Sequence, residues 1–547
     1  MKKFLLFIFF AFLLYLFFAP FSALFKHLLT TEIVPHPFVE TFRSSLLHTA
    51  LRNTFGLGLA VASLSAVFAL GLAFLFTRTD FPLKSWWRGA FIMPYTVPPI
   101  VGAIAWILLA NPNNGFLNVW TGWHLNIYSF IGLVLIETSF LFTYVLLILL
   151  KAFEAIDPTM EEASRMSGAT TWQTFRHVTL PLLRAPLFNG FLLAFLATTA
   201  SFGVPALIGT PGGIFLLTTQ IYTFQKMGSM SGILKASSLS LILMGLAFII
   251  LLLSEGPLRI RQFATISGKT PRPQIAPLGS WKWPLFVIIA IIFGILFVLP
   301  LSAIVLAAFA KVQGILTWSN FGFSNFERIL FHTDETFRAF VNSLLFAGTA
   351  GIFCVLAGFG LAYALKYVFS PRLKGVTSIL VSLPYVTPGT VLALALLVGF
   401  GPGLFGSWLA LNSTGFLIIL AYSIKFLNFS YKTLEDGVGQ IHPCLDEASR
   451  LSGAGTWQTM RYIWWPLLRP SIIASFFLVF MPAMFEVTMT VLLTGPGLET
   501  IGAFIFHLQE YGDLGGGGPA VLALLVIIPT GLFNFFLKFI SKGKYGL

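Results

Sequence analysis

The sequence predicts an all-α membrane protein with about twelve transmembrane helices in two parallel six-helix repeats. Three observations predict it: an apolar composition, a series of long apolar runs and a segment that occurs twice. Of the 547 residues, 57% are apolar and 10% are charged, whereas about a quarter of a typical soluble protein is charged. The chain is therefore expected to lie in a lipid bilayer.

Long apolar runs supply the membrane-crossing segments. Several of them approach the ~20 residues that a helix needs to cross the hydrocarbon core. Because hydrocarbon offers no water to unpaired backbone groups, these runs are expected to be helices. The predicted crossings are roughly 4–25, 49–76, 90–110, 128–150, 187–210, 236–255, 284–308, 340–365, 376–400, 413–432, 471–494 and 519–540.

The basic residues indicate the orientation and account for the net charge of +13. With Lys2 and Lys3 placed inside, 24 of the 33 Lys and Arg residues fall in inside loops, 8 in outside segments and one within a crossing. This asymmetry follows the positive-inside rule and requires no nucleic-acid partner. Both termini are then expected in the cytoplasm. Residues 1–25 also fit a secretory signal, but losing them would leave an odd number of crossings before the first inside loop.

A polar, basic stretch divides the chain. The predicted domains are a first transmembrane half at 1–256, a cytoplasmic linker at 257–283 that contains proline, and a second transmembrane half at 284–547. Six crossings separate equivalent points of the halves. The halves are therefore expected to have the same orientation, with their pseudo-two-fold axis along the membrane normal.

An internal repeat supports this division. Glu162-Ala163-Ser164-Arg165 recurs in the second half as Glu447-Ala448-Ser449-Arg450. The separation of Glu162 from Glu447 is called the repeat offset here. At this offset, residues 161–184 and 446–469 share 16 identities in 24 positions. The repeated segment lies between the fourth and fifth crossings of its half, on the inside.

The repeated segment is expected to form two short helices joined by a turn. Asp157 is placed to cap the first helix, and Pro158 fits its first position. Gly168 and Gly453 suit the left-handed residue that ends a helix.

A second helix is expected to restart at Thr170, which stands at capping-box spacing from Gln173. Pro181 and Pro466 are expected to end this helix before the next crossing. Apolar side chains lie among the charges of both copies: Trp172, Phe175, Trp457 and Met460. Two such surfaces on the aqueous side predict two equivalent docking proteins.

The repeated segment resembles the signature of permease subunits of binding-protein-dependent ABC importers. That signature is Glu-Ala-Ala, three residues, Gly, nine residues, then Ile-x-Leu-Pro. It stands here as Glu162-Ala163-Ser164, Gly168 and Val178-Thr179-Leu180-Pro181, and again as Glu447-Ala448-Ser449, Gly453 and Ile463-Trp464-Trp465-Pro466. Ser replaces the third residue of the Glu-Ala-Ala triplet in both copies, and Trp465 replaces Leu before the second proline.

The resemblance covers both halves and implies a fused permease in a bacterial inner membrane. Its expected partners are a homodimeric ABC ATPase on the cytoplasmic side, which holds ATP and Mg, and a periplasmic or extracellular solute-binding protein. The chain itself is expected to be no enzyme and to bind no cofactor or metal. Gly268-Lys269-Thr270 lacks the glycine of a nucleotide-binding loop, because Phe263 stands at that place. The residues that the resemblance assigns to ATPase docking are Glu161, Glu162, Ala163, Gly168, Pro181, Asp446, Glu447, Ala448, Gly453 and Pro466.

Three charged residues fall in the interior of the predicted crossings, away from their ends: Glu137, Lys425 and Glu486. Charges at membrane depth are costly and usually face a cavity or a partner, so these residues are candidates for the translocation pathway. Glu137 and Lys425 occupy corresponding crossings and are expected to meet across the pseudo-axis. The alternative is that they lie at the membrane interface.

Prolines interrupt the third crossing of each half. Pro94 and Pro98 in the first half correspond to Pro384 and Pro388 in the second. Kinks at these residues are candidates to line a gated cavity, and ordinary packing kinks are the alternative.

The transported solute follows only from resemblance. Residues 201–206 and 494–500 are similar to the ferric-iron group of permeases, with thiamine, phosphonate and polyamine permeases as alternatives. A secondary transporter with parallel repeats, or a channel, would share the twelve crossings. A secondary transporter, however, has no reason to keep two copies of an ATPase-docking loop.

Overall fold

A computed structural model describes residues 2–30, 37–255, 275–315, 317–367, 371–401, 411–512 and 517–540. The Gly268–Thr270 segment of the predicted linker lies outside these ranges. Within them the backbone is almost entirely helical, and extended pairing is confined to two isolated bridges. The predicted all-α class is confirmed.

A helix lies at each of the twelve predicted crossings, and these helices are numbered here as spans 1 to 12. The spans of the first half are Lys2–Leu29, Ser45–Arg78, Lys84–Ile92 with Pro99–Ala110, Phe130–Ala155, Thr171–Ala200 and Met230–Glu255. Those of the second half are Gly279–Phe309, Asp334–Tyr367, Pro371–Val386 with Gly389–Gly399, Gly415–Gly439, Trp457–Met484 and Gly518–Ile540. Across the described ranges, seven helices are long and apolar enough to cross a membrane alone, or eight if the two pieces of span 9 count as one.

Spans 3 and 9 are broken rather than merely kinked. The two pieces of span 9 meet at an angle of 97°, and in span 3 the short turn Met93–Thr96 separates the pieces. Pro98 and Pro388 stand in extended conformation immediately before the second pieces, and a proline cannot donate a helical hydrogen bond. Pro98 and Pro388 therefore mark the start of the second pieces, whereas Pro384 lies inside the first piece of span 9. The predicted interruption of both crossings is confirmed.

Spans 5 and 11 begin and end earlier than predicted, and the expectation that Pro181 and Pro466 end a helix is wrong. Each proline lies inside a helix that continues from the repeated segment into the span. A wide turn of π type precedes each proline, at Phe175–Thr179 and at Met460–Trp464. In the first, the N–H of Leu180 bonds the carbonyl of Phe175, five residues earlier. This shift of bonding register carries the helix past a residue that has no N–H.

The two halves interlock through their first spans. Span 1 packs on the second piece of span 9, and span 7 packs on the second piece of span 3, Pro99–Ala110. Ten of the twelve residues of Pro99–Ala110 are buried. Gly102 permits close contact with span 4, since a Cβ there would lie 2.1 Å from a ring carbon of Phe140. The second pieces of the broken spans thus lie at the centre of the bundle.

The end of the linker is joined to the end of span 2. The N–H of Ala276 donates to the carbonyl of Arg78 at 2.9 Å. The carboxylate of Asp80 accepts the N–H of Leu278 at 2.8 Å and the ammonium of Lys282 at 3.2 Å. The Leu278 N–H and then the Lys282 charge hold the pKa of Asp80 below its usual value. Span 7 therefore begins on a fixed contact with the first half.

Candidate functional site

The first docking loop begins with a capped helix, Pro158–Met166. Asp157 precedes it, and its carboxylate accepts the N–H of Thr159 at 3.0 Å. Pro158 takes the first helical position. Gly168 follows the helix with a φ of +87°, a conformation that glycine adopts without strain. These predicted features are confirmed.

The capping box also forms as predicted. Thr170 accepts the N–H of Gln173 at 3.3 Å, and the Gln173 side chain accepts the N–H of Thr170 at 2.8 Å. The hydroxyls of Ser164 and Thr174 bond at 3.1 Å and join the two helices. The loop is therefore a helical hairpin of fixed shape.

The second docking loop repeats this hairpin. Its first helix is Pro443–Leu451, and Gly453 follows with a φ of +77°. The hydroxyls of Ser449 and Thr459 bond at 2.7 Å. This contact is the Ser164–Thr174 contact again, with both partners displaced by the repeat offset.

The outer surface of the loops is partly apolar. Ala163, Glu447 and Ala448 are exposed, and Glu162 is half-buried. Among their apolar side chains, Met166 and Leu451 are 90% exposed, Trp457 is 73% exposed and Trp172 is 66% exposed. Phe175 and Met460 are only half-buried in the hairpins. Exposed apolar patches of this kind usually mark interaction sites.

Glu161 does not belong to this outer surface. It is 3% exposed, and its carboxylate forms an ion pair of 2.8 Å with Arg78. The hydroxyl of Thr179 donates to the same carboxylate at 2.8 Å. Glu161 lies on the helix Pro158–Met166, called the docking helix here. It thus ties the docking helix to the end of span 2 and to the start of span 5.

Asp446 occupies the equivalent position in the second loop and is also buried. Its carboxylate accepts the indole N–H of Trp464 at 2.8 Å and a short hydrogen bond from the phenol of Tyr367. Tyr367 ends span 8, and Trp464 lies at the start of span 11. The second loop is therefore tied to spans 8 and 11, the equivalents of spans 2 and 5 in the first half.

Sequence reasoning missed the partners of these carboxylates. The sequence does not mark Arg78, Tyr367 or Trp464 as anchors, because the partners differ in residue type between the halves. Thr179 and Trp464, for example, align at the repeat offset but are chemically unlike. A signal was present: both members of that aligned pair can donate a hydrogen bond to the acid that precedes the Glu-Ala-Ser triplet of their own half.

Glu137 lies in span 4 and is 1% exposed. The hydroxyl of Ser201 donates to its carboxylate at 2.5 Å. Ser201 immediately follows span 5, so the contact joins span 4 to the end of span 5. Glu137 and Lys425, which both lie in the described part of the chain, do not form an ion pair. The expected meeting of these two residues across the pseudo-axis is wrong.

Glu486 follows span 11 and marks the same junction in the second half. Its carboxylate accepts the N–H groups of Met489, at 2.8 Å, and Thr490, at 3.0 Å. It also interacts electrostatically with the phenol of Tyr422. The repeat offset relates Glu137 to Tyr422 and Ser201 to Glu486. Each half therefore has one carboxylate and one hydroxyl at this junction. The carboxylate lies in span 4 in the first half, and directly after span 11 in the second.

The side chain of Lys425 binds backbone carbonyls at the break in span 9. Its ammonium donates to the carbonyl of Tyr385 at 2.8 Å and to the carbonyl of Thr387. The charge of Glu486 also attracts it. Pro384 and Pro388 are both buried beside this break. Lys425 therefore supplies the donors that the broken helix lacks.

In span 3, Pro94 is buried and Pro98 is half-buried. No lysine corresponds to Lys425 in span 4, because Phe140 stands at that place. The two breaks are thus equivalent in position and different in chemistry.

Two further helices, Leu217–Lys226 and Ile501–Tyr511, lie at the end of the bundle opposite the docking loops. The phenol of Tyr222 donates to Glu510 at 2.9 Å. The rings of Phe202 and Phe506 pack with centroids 5.4 Å apart. The halves therefore touch each other here, in segments for which the sequence predicted no helix.

Comparison with known proteins identifies the repeated architecture. The family described as binding-protein-dependent transport system inner membrane component matches residues 58–254 and 354–542, one segment in each half. Together these segments cover more than half of the chain.

Similar proteins agree with this match. A ferric transport system permease protein of Actinobacillus pleuropneumoniae is 27% identical over 513 residues, which are 92% of this chain and 72% of that protein. A putative ferric transport system permease protein of Haemophilus influenzae is 27% identical over 84% of this chain and 72% of its own length. A putative 2-aminoethylphosphonate transport system permease protein of Salmonella paratyphi A is 25% identical over 44% of this chain and 88% of its own length.

Proposed function

The chain belongs to the family of binding-protein-dependent transport system inner membrane components, the permeases of ABC importers, and we propose that it moves ferric iron into the cytoplasm with a separate ATPase docked on its two loops. The observation that carries the proposal is the pair of docking loops. Both are helical hairpins with the same hydroxyl contact and the same left-handed glycine. Because the chain belongs to this permease family, the secondary-transporter and channel alternatives are no longer needed.

Two equal docking surfaces favour two equal ATPase subunits, because a two-fold arrangement presents the same patch twice. In this proposal Met166, Trp172, Leu451 and Trp457 form the apolar part of the contact, since all four are strongly exposed on the loops. ATP and Mg are held by that partner. This chain supplies no catalytic group.

The individual roles follow from exposure. Glu162 and Glu447 reach the outer surface and are proposed to contact the ATPase, whereas Ala163 and Ala448 allow its close approach. Gly168, Gly453, Pro181 and Pro466 are proposed to shape the hairpins. Glu161 and Asp446 are buried, so their proposed role moves from docking contact to internal anchor.

The docking loops, the linker and both termini are proposed to face the cytoplasm, with the halves divided at 1–256 and 284–547. The basic residues support this side because they concentrate in the same loops. A solute-binding protein is proposed to approach the opposite end. In sealed cells, Cys introduced at Ser167 or Ser452 should resist an impermeant thiol reagent added from outside. Ready labelling would contradict the orientation.

Ferric iron is favoured over the phosphonate alternative by two observations. The relatives named for ferric transport match 92% and 84% of the chain, whereas the phosphonate relative matches 44%. The two junctions of spans 4 and 5 and of spans 10 and 11 each carry a carboxylate, Glu137 and Glu486, and Lys425 is engaged by backbone carbonyls. Hydrogen bonds to carbonyls leave the ammonium of Lys425 charged, but two carboxylates against one ammonium still give a net negative charge, which favours a cation over an anionic phosphonate group.

Reconstitution tests the proposal. The chain is purified with its ATPase and its solute-binding protein and placed in liposomes with ATP on the docking-loop side. Radiolabelled ferric iron or 2-aminoethylphosphonate is supplied on the side of the binding protein. The expected result is ATP-dependent uptake of iron. Uptake of phosphonate instead of iron would contradict the substrate, and uptake driven by an ion gradient without ATP would contradict the ATPase.

A further inference from the structure

Arg78 joins four elements of the first half at one buried point. Its guanidinium forms an ion pair of 2.8 Å with the Glu161 carboxylate on the docking helix and donates a hydrogen bond to it at 3.1 Å. It also donates to the carbonyl of Phe153, near the end of span 4, at 2.9 Å. Arg78 itself ends span 2, and Thr179 of span 5 bonds the same carboxylate. Movement of the docking helix therefore reaches spans 2, 4 and 5 through this one cluster.

The second half divides the work of Arg78 between two neighbouring residues. Tyr367 bonds the Asp446 carboxylate. Lys366 donates to the carbonyl of Val438, at the end of span 10, at 2.8 Å. Trp464 supplies the contact from span 11. All four elements that meet at Arg78 thus have counterparts here.

The correspondence extends to single atoms. The repeat offset separates the acceptors Glu161 and Asp446, and it also separates the carbonyl-bearing residues Phe153 and Val438. Thr179 and Trp464 share this offset and both donate to the carboxylate. The donors differ completely between the halves, so what the two halves have in common is the position of the bonds and not the residue types.

Cohesion alone does not account for these clusters. Arg78 and Glu161 are each about 3% exposed. A buried ion pair of this kind stabilises the fold little more than well-packed apolar side chains would, because both charges lose their hydration. Directional hydrogen bonds, in contrast, fix the angle between the helices that they join. A joint that must pass on a displacement needs such a fixed angle.

We propose that Arg78 in the first half, and Tyr367 with Lys366 in the second, are positioning residues that transmit the displacement of each docking loop to the spans of its own half. This inference rests on the proposed function, since it takes the loops as the ATPase contact. Glu161 and Asp446 are the acceptors on the loops, and the donors Arg78, Tyr367 and Lys366 connect them to the spans. Removing a donor leaves the ATPase docked and active while less of its movement reaches the spans.

The test measures the amount of solute transported per ATP hydrolysed in proteoliposomes that contain the full chain, its ATPase and its binding protein. Arg78→Met removes both contacts of the first joint. Tyr367→Phe removes one hydroxyl and keeps the ring, so folding is little disturbed. Arg88→Met is the matched control, because Arg88 pairs with Glu154 at the same end of the bundle on the surface, with side chains 35% and 53% exposed.

We expect the ratio of transport to hydrolysis to fall about threefold for Tyr367→Phe, which removes one charge-assisted hydrogen bond, and about tenfold for Arg78→Met, which removes two contacts, to the Glu161 carboxylate and to the Phe153 carbonyl. The control should keep the wild-type ratio. If Arg78→Met does not accumulate, Tyr367→Phe decides alone. An unchanged ratio in Tyr367→Phe would overturn the proposal, as would an Arg78→Met complex that is merely scarcer but has the wild-type ratio. Failure of the wild-type chain to bind the ATPase would instead overturn the proposed function.

Discussion

The ammonium of Lys425 donates a 2.8 Å hydrogen bond to the backbone carbonyl of Tyr385, in the turn where span 9 bends by 97°. A second bond reaches the carbonyl of Thr387. The bend leaves these carbonyls without helical donors, and a buried acceptor without a partner is costly. The lysine therefore stabilises the break, whatever else it contributes to transport.

Lys425→Met is expected to destabilise the protein by about 1–3 kcal/mol for each carbonyl that loses its donor. Thermal unfolding in detergent measures this as a lower Tm. Lys432→Met is the control, because Lys432 lies on the same helix and is exposed, and its Tm should be unchanged. A Lys425→Met protein with wild-type Tm and altered transport would show that the charge serves the pathway alone.

Glu137→Gln and Glu486→Gln keep the shape of each side chain and remove its charge. If a cation passes the junctions where these residues lie, each change should lower iron transport by about tenfold or more, because a carboxylate binds a cation far better than an amide does. Transport in proteoliposomes and Tm are measured together. Glu327→Gln, on a side chain that is 69% exposed, should change neither. Normal transport in both buried variants would exclude these carboxylates from the pathway.

The contact between the halves opposite the docking loops should depend on aromatic packing more than on charge. Phe506 is fully buried against Phe202 and Tyr222, so Phe506→Ala is expected to cost about 3–5 kcal/mol. The pair of Lys226 and Glu510 is partly exposed, with side chains 44% and 27% accessible. Glu510→Gln should therefore cost less than about 1 kcal/mol. The two Tm values give the order, and a reversed order would make the ion pair the dominant contact.

Acidification should weaken this same contact through His507. Burial lowers the pKa of His507, Glu510 and Glu499 oppose the shift, and Lys226 adds to it. Because the folded protein then binds its proton less readily than the unfolded chain does, stability falls as the pH drops through the ordinary histidine pKa of about 6.5. We expect Tm to decline between roughly pH 7 and pH 5.5. His507→Gln should show a shallower decline, and an identical slope would contradict the assignment.

The fold and the docking hairpins could be predicted because they depend on patterns of neighbouring residues and on a segment that occurs twice. The Gly168 and Gly453 conformations, the cap at Asp157 and the breaks at the proline pairs each depend on neighbouring residues. Repetition along the chain then placed the same structures in both halves without any knowledge of packing.

Partner choice was not predictable in the same way. Glu137 and Lys425 were expected to pair because they occupy equivalent spans, but their actual partners, Ser201 and the carbonyl of Tyr385, depend on where the helices end. Those ends were misplaced because wide turns carry spans 5 and 11 past their prolines. The exchange of spans 1 and 7 between the halves is a long-range packing choice that no local pattern records.

The two docking loops should be mechanically equivalent, and their glycines test this. Gly168 and Gly453 have φ of +87° and +77°, and a Cβ built at either position meets no atom within 4 Å. A side chain there costs backbone strain alone, about 1 kcal/mol or more for valine. Gly168→Val and Gly453→Val should therefore insert and bind the binding protein, yet lose ATP-dependent uptake to a similar extent, because the strain turns the following helix away from its partner. Asn at either position tolerates the left-handed conformation, so Gly168→Asn and Gly453→Asn should retain most uptake. If one valine variant abolished transport while the other, equally well expressed, kept normal uptake and ATPase stimulation, only one loop would transmit the movement.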